Sequence, residues 1–212
     1  GYYNLAELYL SEFRFAEAVS FYKKALVAFT QQKNYKYIEL TNRMLKIAEN
    51  EYEYKIQSEN LIAADSLVFE GEKLLSSNKY KLCINNIQRA LEYYGRSYKN
   101  KDIIDKISYA KKILDLAKKS ELLSETLTKL EAKFKDIDPN KKFSYRDSLT
   151  AQDRVNIFYR KSDYLNAIIE YYSALQYYPA NNEARYNLGA AFYKFGAPYF
   201  AINQWEECTK LN

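Results

Sequence analysis

The 212-residue chain contains no histidine, and only five glycines, three prolines, two cysteines, one methionine and one tryptophan. Without histidine, Ser-His-Asp and Cys-His arrangements for nucleophilic catalysis are excluded, as are most zinc sites. The glycines stand singly, so no glycine-rich loop is present to cradle a phosphate. Neither glycine nor proline occurs between Tyr2 and Glu70, or between Arg96 and Asp138. Sheets joined by tight hairpins need turn formers at short intervals, whereas stretches free of both residues favour long helices. Cys83 and Cys208 have no CxxC company; both are expected to be buried thiols, and they leave the redox compartment open. No apolar run approaches the length of a bilayer span, and no signal peptide is visible in the opening residues, which read as the start of a helical pattern. The chain opens without an initiator methionine, which reads as a fragment or a processed form. Localisation is therefore not read from its ends.

What is present is apolar and mixed in charge. Apolar residues make up 48% of the chain, enough for a substantial core. The net charge is +5, with basic and acidic residues interspersed, the pattern of solvated helix faces. A nucleic-acid footprint is more often a concentrated basic stripe; here Asp102, Asp105, Asp115, Glu121 and Glu125 interrupt the lysines between 101 and 146. Paired carboxylates such as Glu70 with Glu72, or Asp102 with Asp105, read as solvated surface. Cys83 lacks a base and is expected to be buried, which opposes a thiolate. No catalytic, metal-binding or cofactor-binding constellation is expected.

One rhythm recurs. Leu188, Gly189 and Phe192 share a helix face, Gly196 breaks that helix, and Ala201, Trp205 and Cys208 line a second one. Upstream, Phe158 closes a helix, Ser162-Asp163-Tyr164 makes a turn, and Ala167, Tyr171 and Ala174 follow, with Pro179 ending the segment. Ala167 and Ala201 are 34 residues apart. Leu5, Ala6 and Tyr9, then Ala18, Tyr22 and Ala25, repeat the design. So do Gly71 and Leu74, then Tyr80, Cys83, Ile87 and Ala90. Small residues let two helices approach closely, and large ones fill the space between hairpins.

On these residues the chain resembles the tetratricopeptide-repeat family, over residues 1–30, 64–95, 148–181 and 182–212. Heavy use of lysine, asparagine, isoleucine and tyrosine places the resemblance among bacterial members. Glu70 and Arg154 depart from it, each standing where the family prefers a large apolar residue. The resemblance implies an all-α superhelical stack of antiparallel helical hairpins, an α-solenoid, with long off-pattern helices between the repeats. Ile38, Thr41, Leu45, Ala48, Tyr52 and Ile56 predict one long helix, or a hairpin with an overlong arm, within 31–63. Ile103, Ile107, Ala110, Leu114 and Ala117, then Leu123, Leu127, Leu130 and Phe134, predict a helical segment over 101–135 that packs through its apolar stripes. The N-terminal lobe is expected to span 1–136, followed by a loop at 137–147 around Pro139 and a C-terminal repeat pair at 148–212. Ser148 or Thr150 is expected to cap the helix after the loop.

Function then rests on surface. The first helix of each hairpin in this family lines a concave groove that binds peptides or partner domains. The resemblance implies that Gln152, Asn156, Tyr159 and Arg160 face the groove in one unit, and Tyr186, Asn187, Tyr193 and Lys194 in the next. Tyr3, Glu7, Leu10 and Ser11 would do so in the first. Tyrosine occurs 23 times, in excess of core needs, and suits interfaces. Asn187 can clamp a backbone, and Arg160 with Lys194 favours an acidic segment. The expectation is a non-enzymatic scaffold that docks a protein or peptide partner. An envelope, secretion or motility complex and a peptide-sensing regulator stand as alternatives. The chain reaches Asn212 without a polar capping helix, which predicts further repeats or self-association there.

Overall fold

The structure is a computed structural model that describes residues 1–135 and 145–210. The side chains of Tyr145, Asp147, Gln152 and Asn156 are outside that description. Among the described residues the fold is all-α. Nine helices follow one another: α1 (Tyr2–Ser11), α2 (Phe15–Gln31), α3 (Tyr35–Ser76), α4 (Tyr80–Arg96), α5 (Lys101–Phe134), α6 (Tyr145–Arg160), α7 (Tyr164–Tyr177), α8 (Asn182–Phe195) and α9 (Pro198–Lys210). They form two compact units: Gly1–Phe69 with Arg89–Ser108, and Glu70–Gln88 with the described residues from Tyr109 onward. Most of the expected 137–147 loop lies outside the described residues.

The long stretches without glycine or proline become long helices. α3 is a single 42-residue helix, and it takes in both the 35–63 segment and the Gly71–Leu74 stretch. α5 runs 34 residues without a break. Ile103, Ala110, Ala117, Leu123 and Phe134 on its stripes are buried, while Ile107, Leu114, Leu127 and Leu130 are half-buried. On α3, Thr41 and Ala48 are buried, but Tyr52 and Ile56 farther along the same seam are exposed. The seam thus buries its α1–α2 end only: Ala48 joins Ala6, Ala18 and Tyr22 in one cluster, with Met44 and Leu45 packed against it.

Five helix ends close in one way. Phe13, Lys33, Asn78, Ser162 and Gly196 all have positive φ, between 52° and 92°. In each case the next residue's N–H reaches back to the carbonyl five residues before it: Arg14 to Tyr9 at 2.9 Å, Asn34 to Phe29 at 3.0 Å, Lys79 to Leu74 at 2.8 Å, Asp163 to Phe158 at 3.0 Å and Ala197 to Phe192 at 2.9 Å. This closure satisfies carbonyls that a helix end would leave unpaired. Only Gly196 among the five is glycine, the residue that adopts this backbone without strain.

In the first unit, Tyr94 is 2% exposed and donates its hydroxyl to Asp65 Oδ1 at 2.5 Å, while Lys106 Nζ donates to Asp65 Oδ2 at 2.7 Å. One carboxylate thus fastens α3, α4 and the start of α5. In the second unit, α6 packs on α7, α7 on α8 and α8 on α9. Ala167, Ile168, Tyr171, Ala174, Leu188, Phe192 and Ala201 share one core there with Leu123 of α5. Tyr172 of α7 donates its hydroxyl to Glu131 of α5 at 2.6 Å, and the rings of Phe134 and Tyr177 meet edge to face at 5.6 Å.

Three local expectations are corrected. Leu5 is 41% exposed instead of facing inward, because no described helix covers that side of α1. Cys208 is only half-buried, whereas Cys83 is fully buried. Ser148 and Thr150 do not cap α6, which already begins at Tyr145; the Ser148 side chain is buried and the Thr150 hydroxyl bonds back to the Arg146 carbonyl at 3.0 Å.

Candidate functional site

The best-defined part of the expected groove is α8. Its start is fixed by Asn181, which is 7% exposed and uses both ends of its amide. Oδ1 accepts the Ala184 N–H at 2.9 Å, the N-cap bond, and Nδ2 donates to Ser148 Oγ of α6 at 3.0 Å. Its end is fixed by the left-handed Gly196, φ 92°. Between them, Gly189 lets α9 approach closely. A Cβ placed there would lie 2.7 Å from Trp205 Cδ1 and 2.9 Å from Cε2, so the indole lies directly on the glycine. Trp205 Nε1 donates to the Tyr186 carbonyl at 3.1 Å.

That indole organises an aromatic surface. Tyr186 and Tyr193 lie one on each side of Gly189 along α8. Their ring centroids stand 6.4 Å and 6.2 Å from Trp205, inside the range where aromatic pairs attract. Both tyrosines remain about 60% exposed. Asn187 is half-buried and Lys194 is exposed. Arg185 is half-buried and donates from Nη2 to the Pro179 carbonyl at 2.9 Å.

On α6, Tyr159 is half-buried and meets Tyr164 edge to face at 5.5 Å; burial raises its phenol above the usual range. Arg160 is exposed. The groove positions Gln152 and Asn156 lie outside the described side chains. Arg154, which departs from the repeat pattern, is exposed and makes a salt bridge to Glu170 of α7, Nη2 to Oε2 at 2.8 Å. A charge pair on the outer edge of the α6–α7 contact thus replaces the apolar contact expected there.

The α1 candidates belong to the first unit and are tied into its own packing. Tyr3 is half-buried, edge to face with Tyr22 at 5.7 Å and tilted on Phe29 at 6.5 Å. Its phenol is pushed up to about 12, first by burial and then by its hydrogen bond to Glu7. Glu7 also accepts the Tyr22 hydroxyl at 3.4 Å. Leu10 is half-buried, and the Ser11 hydroxyl is spent on the Leu8 carbonyl at 2.7 Å. Of the α1 set, Tyr3 and Glu7 are held by internal bonds, so α8 presents the more available surface.

Other chemistry-bearing groups are placed as follows. Burial pushes the Cys83 thiol up to about 11, which holds it protonated. Among the described residues no three His, Cys, Asp or Glu side chains are grouped to hold a metal ion. No helix of the described residues is long and apolar enough to cross a membrane. Glu72 is engaged by the Tyr109 hydroxyl, and Asp102 lies 3.8 Å from Lys106 Nζ. A cleft of about 350 Å³ between the start of α4 and the middle of α5 is lined by Tyr80, Leu82, Lys81, Glu121 and Glu125. Lys81 stands 3.8 Å from Glu121 and 3.5 Å from Glu125, an exposed pairing of one cation with two carboxylates.

Trp205 is the element that sequence reasoning undervalued. The sequence predicts it as a bulky filler between hairpins; it packs instead within the α8–α9 hairpin, on Gly189 and beside two exposed tyrosines. The signal lay in Tyr186-x-x-Gly189-x-x-x-Tyr193, a glycine flanked on one helix face by two aromatics. Compared with protein-family models and with curated proteins, the chain matches none.

Proposed function

We propose that this chain is a non-enzymatic docking module of the tetratricopeptide-repeat kind. In this reading α6–α7 and α8–α9 are two successive repeats of a superhelical stack. A partner segment lies along the first-helix faces, across Tyr159 and Arg160 of α6 and Tyr186, Asn187, Tyr193 and Lys194 of α8. The observation that carries the reading is the ordered exposure of Tyr186 and Tyr193. Each ring is about 60% exposed, yet each rests near one indole. A side chain already restrained loses little further freedom when a partner covers it, so its apolar face contributes more of its burial to binding. Exposed Lys194 and Arg160 add positive charge to the same helix faces. They select an acidic segment, and the Asn187 amide is suited to its backbone.

The test uses Trp205, the only tryptophan of the chain, as reporter. A peptide library is selected against the immobilised protein, and enriched peptides are titrated against it in solution. Acidic sequences are expected, with a shift in Trp205 emission on binding. The double substitution Tyr186→Ala/Tyr193→Ala is expected to weaken binding by about tenfold or more. Enriched peptides without acidic bias, or with affinity indifferent to the double substitution, overturn the reading.

A further inference from the structure

The exposed tyrosines of α8 have a fixed spacing, and that spacing selects the conformation of a guest. Tyr186, Ala190 and Tyr193 follow one another at four and three along the helix, so they share one stripe. At a rise of about 1.5 Å per residue, the two tyrosines stand about 10.5 Å apart along the axis. Both are about 60% exposed, whereas Ala190 between them is half-buried and carries only a methyl group. The stripe is therefore two aromatic ridges with a notch between them. Trp205 flanks the notch, its ring tilted by 38° to Tyr186 and by 40° to Tyr193.

The α8 main chain spends its amides and carbonyls inside the helix, so side chains alone meet a guest. The hydroxyls of Tyr186 and Tyr193 and the Lys194 ammonium make no hydrogen bond or ion pair among the described residues. All three groups donate, and the Asn187 amide adds a further donor. A face rich in donors suits a segment rich in open carbonyls and poor in N–H groups. A polyproline II stretch has both properties: it lacks internal hydrogen bonds, and each proline removes one N–H. Its three-residue turn advances about 9.3 Å, so residues three apart return to one side at nearly the spacing of the tyrosines. A strand returns to one side every second residue, about 6.7 Å, and falls out of step. A helix matches the spacing only at seven residues, and its carbonyls are already paired, which leaves the hydroxyls unmet. Charge is graded along the same stripe. Glu183, exposed one turn before Tyr186, makes its start acidic, and exposed Lys194 makes its end basic.

Resting on the docking reading above, we propose that the segment bound on α8 is a polyproline II stretch of the form Pro-x-x-Pro. One pyrrolidine ring lies against Tyr186 and the other against Tyr193. Acidic residues of the segment lie on the Lys194 side, away from Glu183. The fixed φ of proline lowers the ordering cost of binding, as the indole does for the tyrosines.

Three synthetic peptides of equal length and equal acidic charge test it, titrated against the whole chain by Trp205 emission. The first has its prolines three apart, the second has them four apart, and the third has alanine at both places. The first is expected to bind about tenfold more tightly than the others. Lys194→Ala is expected to weaken its binding severalfold and to leave unchanged that of a Pro-x-x-Pro peptide without acidic residues. Tyr186→Phe/Tyr193→Phe keeps both rings and removes both hydroxyls; a loss of about threefold to tenfold is expected. Equal affinity for all three peptides overturns the proline assignment and leaves acidic docking standing. Tighter binding of the alanine peptide, with helical circular dichroism gained on binding, gives the face to a helix and overturns it too. No binding by any of the three overturns both readings.

Discussion

The Nε1 side of the Trp205 indole packs against Gly189, with Nε1 donating to the Tyr186 carbonyl at 3.1 Å. Nothing larger than hydrogen fits between the α8 backbone and that ring. Two terms of opposite sign meet in Gly189→Ala. The new methyl group favours helix by about 1 kcal/mol, while crowding a filled contact costs about 1–3 kcal/mol. The indole is rigid and hydrogen-bonded, so crowding wins. A net loss of about 1–2 kcal/mol is expected, read as a lower Tm, together with a red shift of Trp205 emission as the ring is pushed toward water. A variant of unchanged Tm and emission would show that the contact is loose.

Asn181 serves two helices with one amide. Asn181→Ala removes the N-cap bond of α8 and strips Ser148 Oγ, which is buried, of its donor. The cap is worth about 1 kcal/mol and the orphaned buried hydroxyl about 1–3 kcal/mol. Loss of about 2–3 kcal/mol is expected in urea unfolding, with an unchanged m-value. Ser148→Ala is expected to cost less, since the cap survives.

The left-handed turns point to a gain. Lys33 and Ser162 hold φ of 52° and 57° without the freedom of glycine. That conformation costs an L-residue about 1–2 kcal/mol, while glycine loses about 0.5–1 kcal/mol more entropy on folding. Lys33→Gly and Ser162→Gly are therefore each expected to stabilise by up to about 1 kcal/mol. Asn78→Gly should give less, because asparagine tolerates this region well. Thermal unfolding of the three variants side by side measures the order.

Stability should fall at alkaline pH. Burial raises the phenols of Tyr22, Tyr94 and Tyr172, with help from Glu7, Asp65 and Glu131 respectively, and raises Tyr3 to about 12. It raises the Cys83 thiol from 9.0 to about 11. A raised folded-state value means that the folded chain binds protons more tightly than the unfolded one. This contribution is fully present below the unfolded values, near 9 for the thiol and 10 for the phenols, and is lost as pH climbs through the folded ones. Stability is expected to hold level on this account up to about pH 9 and to decline above it, with a class of tyrosines whose phenolate absorbance appears only on unfolding. Phenolate from all tyrosines at pH 10.5 with the fold intact would refute it.

Much of the helical layout was legible because spacing alone encodes it. Ala18 with Tyr22 and Ala25, and Ala167 with Tyr171 and Ala174, recur at four and three, and all six are buried. The turns were harder. A left-handed helix end is announced by glycine, and only Gly196 gave that signal; Phe13, Lys33 and Ser162 adopt the same backbone because the reach-back bonds hold it. The length of α3 was legible only as an alternative, since an absence of breakers permits a long helix without requiring it. The polar ties were invisible: Tyr94 finds Asp65 across 29 residues and Tyr172 finds Glu131 across 41, and no local pattern marks such pairs. At the candidate site, the exposure of Tyr186 and Tyr193 followed from helix register, whereas the engagement of Tyr3 and Glu7 came from ring and hydroxyl contacts that register does not specify.

The shared closure of the helix ends has a practical corollary. It is made by main-chain amides and carbonyls, so the side chain at each tip takes no part in it. A dye or spin label attached through a cysteine at Lys33 or Ser162 would sit on a fixed backbone while leaving the packed faces untouched. Distances between such labels, read with and without an enriched peptide, would then report whether the backbone between them shifts.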